Sequence, residues 1–168
     1  MPDFIFDNTV LSNFAAIGKV DLLAKQFEKN AFTTIEVMDE LKRGIEKGYH
    51  FLIPALNAAE SSERWLEILV LKSLDENLLR QELNEFLHPG ESSCLVLAVS
   101  RKMVLVTDDL AARKLATRRK VRLTGTVGLL IEMKTGFLEG LDRWTGKDIW
   151  LAHGQGLARA SMRFLTKR

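Results

Sequence analysis

Two sets of aspartates in this chain each stand directly after a short apolar run: Asp7 follows Phe4-Ile5-Phe6, and Asp108-Asp109 follow Met103-Val104-Leu105-Val106-Thr107. Acids that stop an apolar run of this length sit at the ends of buried strands. In an open parallel sheet, functional groups gather beyond the carboxyl ends of the strands, in the crevice where strand order reverses. If strand four lies beside strand one, these acids share that crevice. Carboxylates held close together repel, and each either costs free energy or takes up a proton. A hard divalent cation relieves both, because Mg²⁺ and Mn²⁺ prefer oxygen ligands and bridge carboxylates to substrate phosphates. Zinc is disfavoured: His50, His88 and His153 are isolated and form no Cys/His set at ligand spacing. Taken singly, each acid also has a plainer role, Asp7 as a helix cap and Asp108-Asp109 as cap and first-turn residues beside the helix dipole.

The elements that must position these acids are legible as alternating patterns. After Asp7, Leu11, Phe14 and Ile17 recur at helical spacing, and Val20, Leu22, Leu23 and Phe27 form a second helical stripe. Ala31 to Ile35 is a β-branched strand, and Val37, Leu41 and Ile45 mark the helix after it, which ends near Gly48. Ile53-Pro54-Ala55 begins a connection of no clear pattern, and Ile68 to Leu71 is a third buried strand. Asp75 is expected to cap a helix through Leu78, Leu79, Leu83 and Phe86, and His88-Pro89-Gly90 precedes a helix from Glu91 to about Arg101. Leu110 to Ala116 is helical, Val121 to Thr124 a fifth strand, and Val127, Leu130, Ile131 and Met133 belong to a last helix. Repeated strand-helix units imply a three-layer α/β/α sandwich around a parallel sheet of about five strands. Residues 1–140 are expected to form this domain, and 141–168, with Trp144, Trp150, Arg159 and Arg163, a C-terminal helical extension packed on it.

Composition sets the outer bounds. With 168 residues, 46% hydrophobic and 27% charged, the chain suits a single globular core. Cys94, the one cysteine, lies in the apolar run Cys94 to Val99 and reads as a core residue. The acidic N-terminus is unlike a signal peptide, and no run approaches the ~18 apolar residues of a membrane span, so a cytoplasmic protein that spans no membrane is expected. The net charge of +2 hides a basic run in which Arg113, Lys114, Arg118, Arg119, Lys120 and Arg122 fall within ten positions. Such a run is more often a solvated helix face than a binding surface, although an acidic catalytic pocket nearby shifts the balance toward nucleic acid.

Further motifs join the two acid groups in order. Phe4-Ile5-Phe6-Asp7-Asn8-Thr9, Val37-Met38-Asp39-Glu40-Leu41, His88-Pro89-Gly90-Glu91-Ser92-Ser93, Thr107-Asp108-Asp109-Leu110-Ala111-Ala112-Arg113 and Gly125-Thr126-Val127-Gly128 together resemble PIN-domain nucleases, in particular a toxin-like, VapC-type subgroup. Ser92, where alanine is usual, Asn8 after the first acid, and the unmatched segment 50–65 depart from the pattern. The resemblance implies a Mg²⁺- or Mn²⁺-dependent phosphodiesterase acting on RNA, and as partners a small antitoxin protein and a second copy of the chain. It also implies metal ligands at Asp7, Glu40, Glu91 and Asp109, with Asp108 a fifth ligand or a neighbour of them. The choice between Asp108 and Asp109 stays open; Glu36 competes with Glu40, which precedes Leu41 as the motif requires. Arg113, Lys42 and Arg43 are the basic residues expected to draw the phosphate backbone to the acidic pocket. Two other classes compete: a catalytically silent module that binds RNA or protein, and a phosphoacceptor receiver domain. The receiver fits poorly, since Thr124-Gly125-Thr126 stands where its lysine would follow strand five.

Overall fold

The computed structural model describes residues 1–27 and 29–135. Five strands, β1 (Phe4–Phe6), β2 (Ala31–Thr34), β3 (Glu67–Leu69), β4 (Val104–Val106) and β5 (Leu123–Thr124), form one sheet in the order β3-β2-β1-β4-β5. Every pairing is parallel, with Phe4 opposite both Ala31 and Val104. The expected fold is therefore the observed one. The order reverses at β1, so the crevice beyond β1 and β4 is the switch point of the sheet.

Eight helices complete the described chain: α1 (Asn8–Ala16), α2 (Val20–Phe27), α3 (Ile35–Glu46), α4 (Ile53–Glu60), α5 (Leu74–Leu83), α6 (Pro89–Ser100), α7 (Leu110–Arg118) and α8 (Thr126–Thr135). Helix α6 crosses β1, β2 and β4 and packs on α3, α5 and α7, while α1 packs on α2, α4 and α8. Strand β1 is apolar throughout because both its faces are covered; Phe4, Ile5 and Phe6 are fully buried. Phe4 and Phe6 share one face by the two-residue strand period, and both meet Phe27 of α2, with ring centroids 4.7 and 5.4 Å apart.

Four local expectations change. The third strand, expected to be buried over Ile68 to Leu71, is the edge strand Glu67–Leu69, with Glu67 exposed and Ile68 and Leu69 half-buried. The unpatterned segment after Gly48 is a 3₁₀ turn (His50–Leu52) leading into α4. Pro54 stands in the first turn of α4, where its missing N–H costs nothing. Its periodicity is hidden because the buried side is Ala55, Ala58 and Ala59, too small to register as a stripe. The cap of α5 is Ser73 rather than Asp75, in a capping box with Glu76. Phe86 lies beyond α5 and is exposed. The expected extension over 141–168 lies outside the described residues. No helix among the described residues is long and apolar enough to cross a membrane.

Candidate active site

Asp7 emerges at the carboxyl end of β1 and caps α1, its carboxylate accepting the Val10 amide at 3.1 Å. It is fully buried. Thr9 Oγ1 donates to its Oδ1 at 2.7 Å, and Thr107 Oγ1 donates to its Oδ2. Burial pushes the carboxyl up to about 7, against the three hydrogen bonds that favour its charged form, and the nearby charge of Glu91 adds to the rise. Both threonine hydroxyls also accept from the chain beyond β4: Asp108 N donates to Thr9 at 3.1 Å and Asp109 N donates to Thr107 at 3.0 Å. The two strand ends are thus tied together through the side chains that hold Asp7.

The adjacent aspartates separate. Asp108 accepts from Thr126 N at 2.9 Å, Thr126 Oγ1 at 2.5 Å and Asn13 Nδ2 at 2.8 Å, fastening the start of α8 to α1. Asp109 caps α7 through one oxygen, 2.7 Å from Ala112 N, and lies close enough to Glu91 to raise the pKa of that acid. Glu91 is half-buried in the first turn of α6, accepting from His88 N at 3.1 Å in a capping box. Desolvation raises its pKa first, with Asp109 and Glu40 adding to the rise. Glu40 reaches across from α3 to accept the Gly90 amide at 2.8 Å. A Cβ at Gly90 would sit 2.7 Å from that oxygen, so glycine is what lets the two helices share this contact. Glu36, the competitor, is paired with Arg80 at 2.8 Å.

The structure therefore brings Asp7, Asp109, Glu91 and Glu40 into one neighbourhood and engages Asp108 at its edge. The expected cations divide differently. Arg43 lines a cleft of about 660 Å³ that opens beside Glu40 and Glu91. Lys42 pairs instead with Glu60 of α4 at 2.7 Å. Arg113 Nη1 donates to the carbonyls of Thr107 at 2.8 Å and Thr124 at 3.3 Å, bracing β4 against β5. The remaining basic run follows α7 to the opposite end of the sheet, where Arg119, Lys120 and Arg122 share a pocket with Lys102. Cys94 is fully buried, and burial pushes its thiol well above the ordinary range, so it is no nucleophile. The serine at 92 has a partner of its own: its hydroxyl reaches Asn84 Oδ1 at 2.5 Å, joining α6 to the end of α5.

Sequence reasoning gave no role to Thr9 or, beside the cleft, to Lys47, Tyr49 and Phe51, and it set His88 aside as an isolated histidine. The signal for Thr9 was its place two residues after Asp7. The aromatic pair gave none, because it lies in the unpatterned segment.

The donors suit a hard cation, being all carboxylate oxygens; burial first, and mutual repulsion after it, keep Asp7 and Glu91 easier to protonate than free carboxylates. Among the described residues, no three His, Cys, Asp or Glu side chains are spaced to enclose an ion unaided. Mg²⁺ does not require that, since it keeps several waters and takes one or two carboxylates together with substrate phosphates. The residues present fit a cation completed by water and substrate.

The family model DUF3368, described as a PIN domain, matches residues 3–143. The crystal structure of PAE2754 from Pyrobaculum aerophilum superposes with a TM-score of 0.55 at 22% identity, over 80% of this chain and 98% of that one, which shows a common fold. No curated protein matches the chain.

Proposed function

The chain belongs to the PIN-domain family, whose members are generally nucleases, and on that premise we propose that it is a Mg²⁺- or Mn²⁺-dependent endoribonuclease. The observation that carries the reading is the fully buried Asp7 at the switch point, with a pKa of about 7 and Glu91 adding negative charge beside it. In this reading one or two of the carboxylates Asp7, Glu91 and Asp109 would hold the ion together with water and substrate phosphate, and Glu40 flanks it. A divalent ion bound there would supply positive charge against that developing on the scissile phosphate.

The protein's own groups do the positioning. Thr9 and Thr107 fix both oxygens of Asp7, so that the carboxylate meets the ion without reorganising. Gly90 N fixes Glu40. Asp108 clamps α1 to α8 and keeps the loop after β4 in place, acting as a positioning residue. Arg43 offers the phosphate backbone a charge at the cleft rim, while Arg113 and Lys42 act through the contacts they already make. Hydrolysis leaves a 5′-phosphate and a 3′-hydroxyl.

The Gly90-Glu91 and Asp108-Asp109 motifs extend the reading to a VapC-type toxin of the cytoplasm, working as a homodimer and restrained by a small antitoxin. A short neighbouring reading frame whose product copurifies with this chain would support that extension, and its absence would leave a free-standing nuclease. The rival is a silent RNA- or protein-binding module, favoured by the lack of a ready three-carboxylate enclosure among the described residues. The deciding experiment incubates single-stranded and structured RNAs with Mn²⁺ and either the wild-type chain or Asp7→Asn. Cleavage lost in the variant supports the proposal; no cleavage by wild type, with no Mn²⁺ binding at millimolar concentration, favours the silent module.

A further inference from the structure

Two large aromatic side chains stand exposed beside the acidic centre, Tyr49 at 55% and Phe51 at 46% of their full accessibility. Their rings are 6.1 Å apart and tilted by 59°. A loop would be expected to bury or omit such residues, yet here the backbone holds them outward. Helix α3 ends in a Schellman motif: Gly48 N donates to Ile45 O at 2.9 Å and Tyr49 N to Gly44 O at 3.1 Å. Gly48 takes φ +97°, a conformation that favours glycine. Tyr49 is the residue this motif ties back to Gly44, and its ring lies 3.9 Å from where a Cβ on Gly44 would stand. The 3₁₀ turn that follows is anchored by the buried Leu52, and Leu52 N donates to Tyr49 O at 3.0 Å. Both rings thus have a fixed backbone beneath them.

Both line the cleft that also contains Glu40 and Glu91, and the same cleft is lined by Arg43 and Lys47, one turn apart on α3 and its cap. Arg43 and Lys47 are exposed, and neither has an ion-pair partner among the described residues. Aromatic faces interleaved with free cations along one groove match a single nucleic-acid strand, whose bases stack on the rings while its phosphates meet the charges. An apolar protein segment would have no use for the two cations. A duplex would have no free base faces to offer the rings.

We propose that Tyr49 and Phe51 form a base-stacking subsite that, with Arg43 and Lys47, binds an unpaired strand and leads it to the carboxylates. The subsite selects single-stranded over paired RNA by stacking, without reading sequence. It rests on the nuclease reading only in the statement of where the strand is led; the binding itself needs no metal.

The test uses the full chain in EDTA and fluorescence anisotropy with three labelled probes of equal length: decauridylate, an abasic strand with the same phosphates, and an RNA duplex. Wild type is expected to bind decauridylate more tightly than either of the others. The double variant Tyr49→Ala/Phe51→Ala should lose roughly 5- to 100-fold in affinity for decauridylate and under about twofold for the abasic strand. Tyr49→Phe/Phe51→Tyr should restore it, which a merely structural role for the side chains does not require. Arg43→Ala/Lys47→Ala should weaken both single strands and flatten the salt dependence. Equal loss for the base-bearing and abasic strands, no loss for either, or tighter binding of the duplex overturns the proposal, as does a change in oligomeric state of the alanine variant without a change in RNA affinity. Metal-dependent cleavage is assayed separately: its absence from wild type with stacking intact defeats the nuclease reading and not the subsite.

Discussion

Asp7 and Glu76 are both buried acids at helix starts, and their surroundings drive them in opposite directions. Burial raises the pKa of each. Around Glu76 it is outweighed by donors from Lys72 N, Ser100 Oγ, Ser73 N and Arg101 Nε, which bring the carboxyl down to about 2. Around Asp7 the hydrogen-bond donors are all neutral, Arg113 acts on it only through space, Glu91 adds negative charge, and the carboxyl stays near 7. Glu76 has its charge balanced from within, by a cation and by backbone amides, and joins α5 to α6. Asp7 is held just as firmly but left short of positive charge. An acid fixed in place yet electrostatically incomplete is the arrangement expected where an external cation or substrate completes the site.

The contrast breaks most visibly if Asp7 is neutralised. Asp7→Asn should lower RNA cleavage by roughly 100-fold or more while the metal-free protein melts no lower than wild type. Wild-type turnover in a steady-state assay would remove Asp7 from the site. Glu76→Gln should do the reverse, costing about 2–3 kcal/mol and lowering the melting temperature by roughly 5–10 °C through the loss of charged hydrogen bonds, with cleavage at low temperature retained. A normal melt with lost activity would show that the two acids are not of different kinds.

The pH dependence carries opposite signs for the two residues. The folded pKa of Asp7 is raised, so the stability it contributes is full below its ordinary value of 3.8 and is lost as pH rises through about 7. Melts in EDTA should therefore show wild type falling behind Asp7→Asn by about 2 kcal/mol between pH 5 and pH 8. A constant gap across that window would mean that Asp7 is already ionised at no cost. The folded pKa of Glu76 is lowered, so its contribution is present above its ordinary value of 4.5 and is lost as pH falls toward about 2.

The smallest effect concerns Glu40. Gly90→Ala places a methyl group against the Glu40 carboxylate and should displace it from the Gly90 amide, reducing cleavage by roughly three- to tenfold. The melt should be unchanged or slightly higher, because alanine suits a helix better than glycine. Unaltered cleavage would show that Glu40 need not be held there.

Much of this was legible in the chain. Strands β1 and β4 are short apolar runs ended by acids, a pattern that burial on both faces imposes on any parallel sheet, and their adjacency follows from doubly wound connectivity. Helix α4 was not legible, because alanines form its buried side. The cap of α5 was misplaced because Ser73, Asp75 and Glu76 are all plausible near a helix start, and only the reciprocal contacts of Ser73 and Glu76 distinguish them. The basic run looked continuous in sequence, yet α7 carries its ends to opposite ends of the sheet, with Arg113 bracing strand ends and Arg119 pairing with Glu82.

By itself the sequence determined the order of elements and the presence of acids at strand ends, because hydrophobic period and turn chemistry are local properties of the chain. Only the tertiary structure decided which acid touches what. Asp108 and Asp109 are neighbours in sequence, but one faces the start of α8 and the other lies near Glu91. Lys42 and Arg43 are likewise adjacent, and the turn of α3 sends one to Glu60 and the other to the cleft. These assignments depend on contacts between residues far apart in the chain, and such contacts exist only once the sheet has brought the helix ends together.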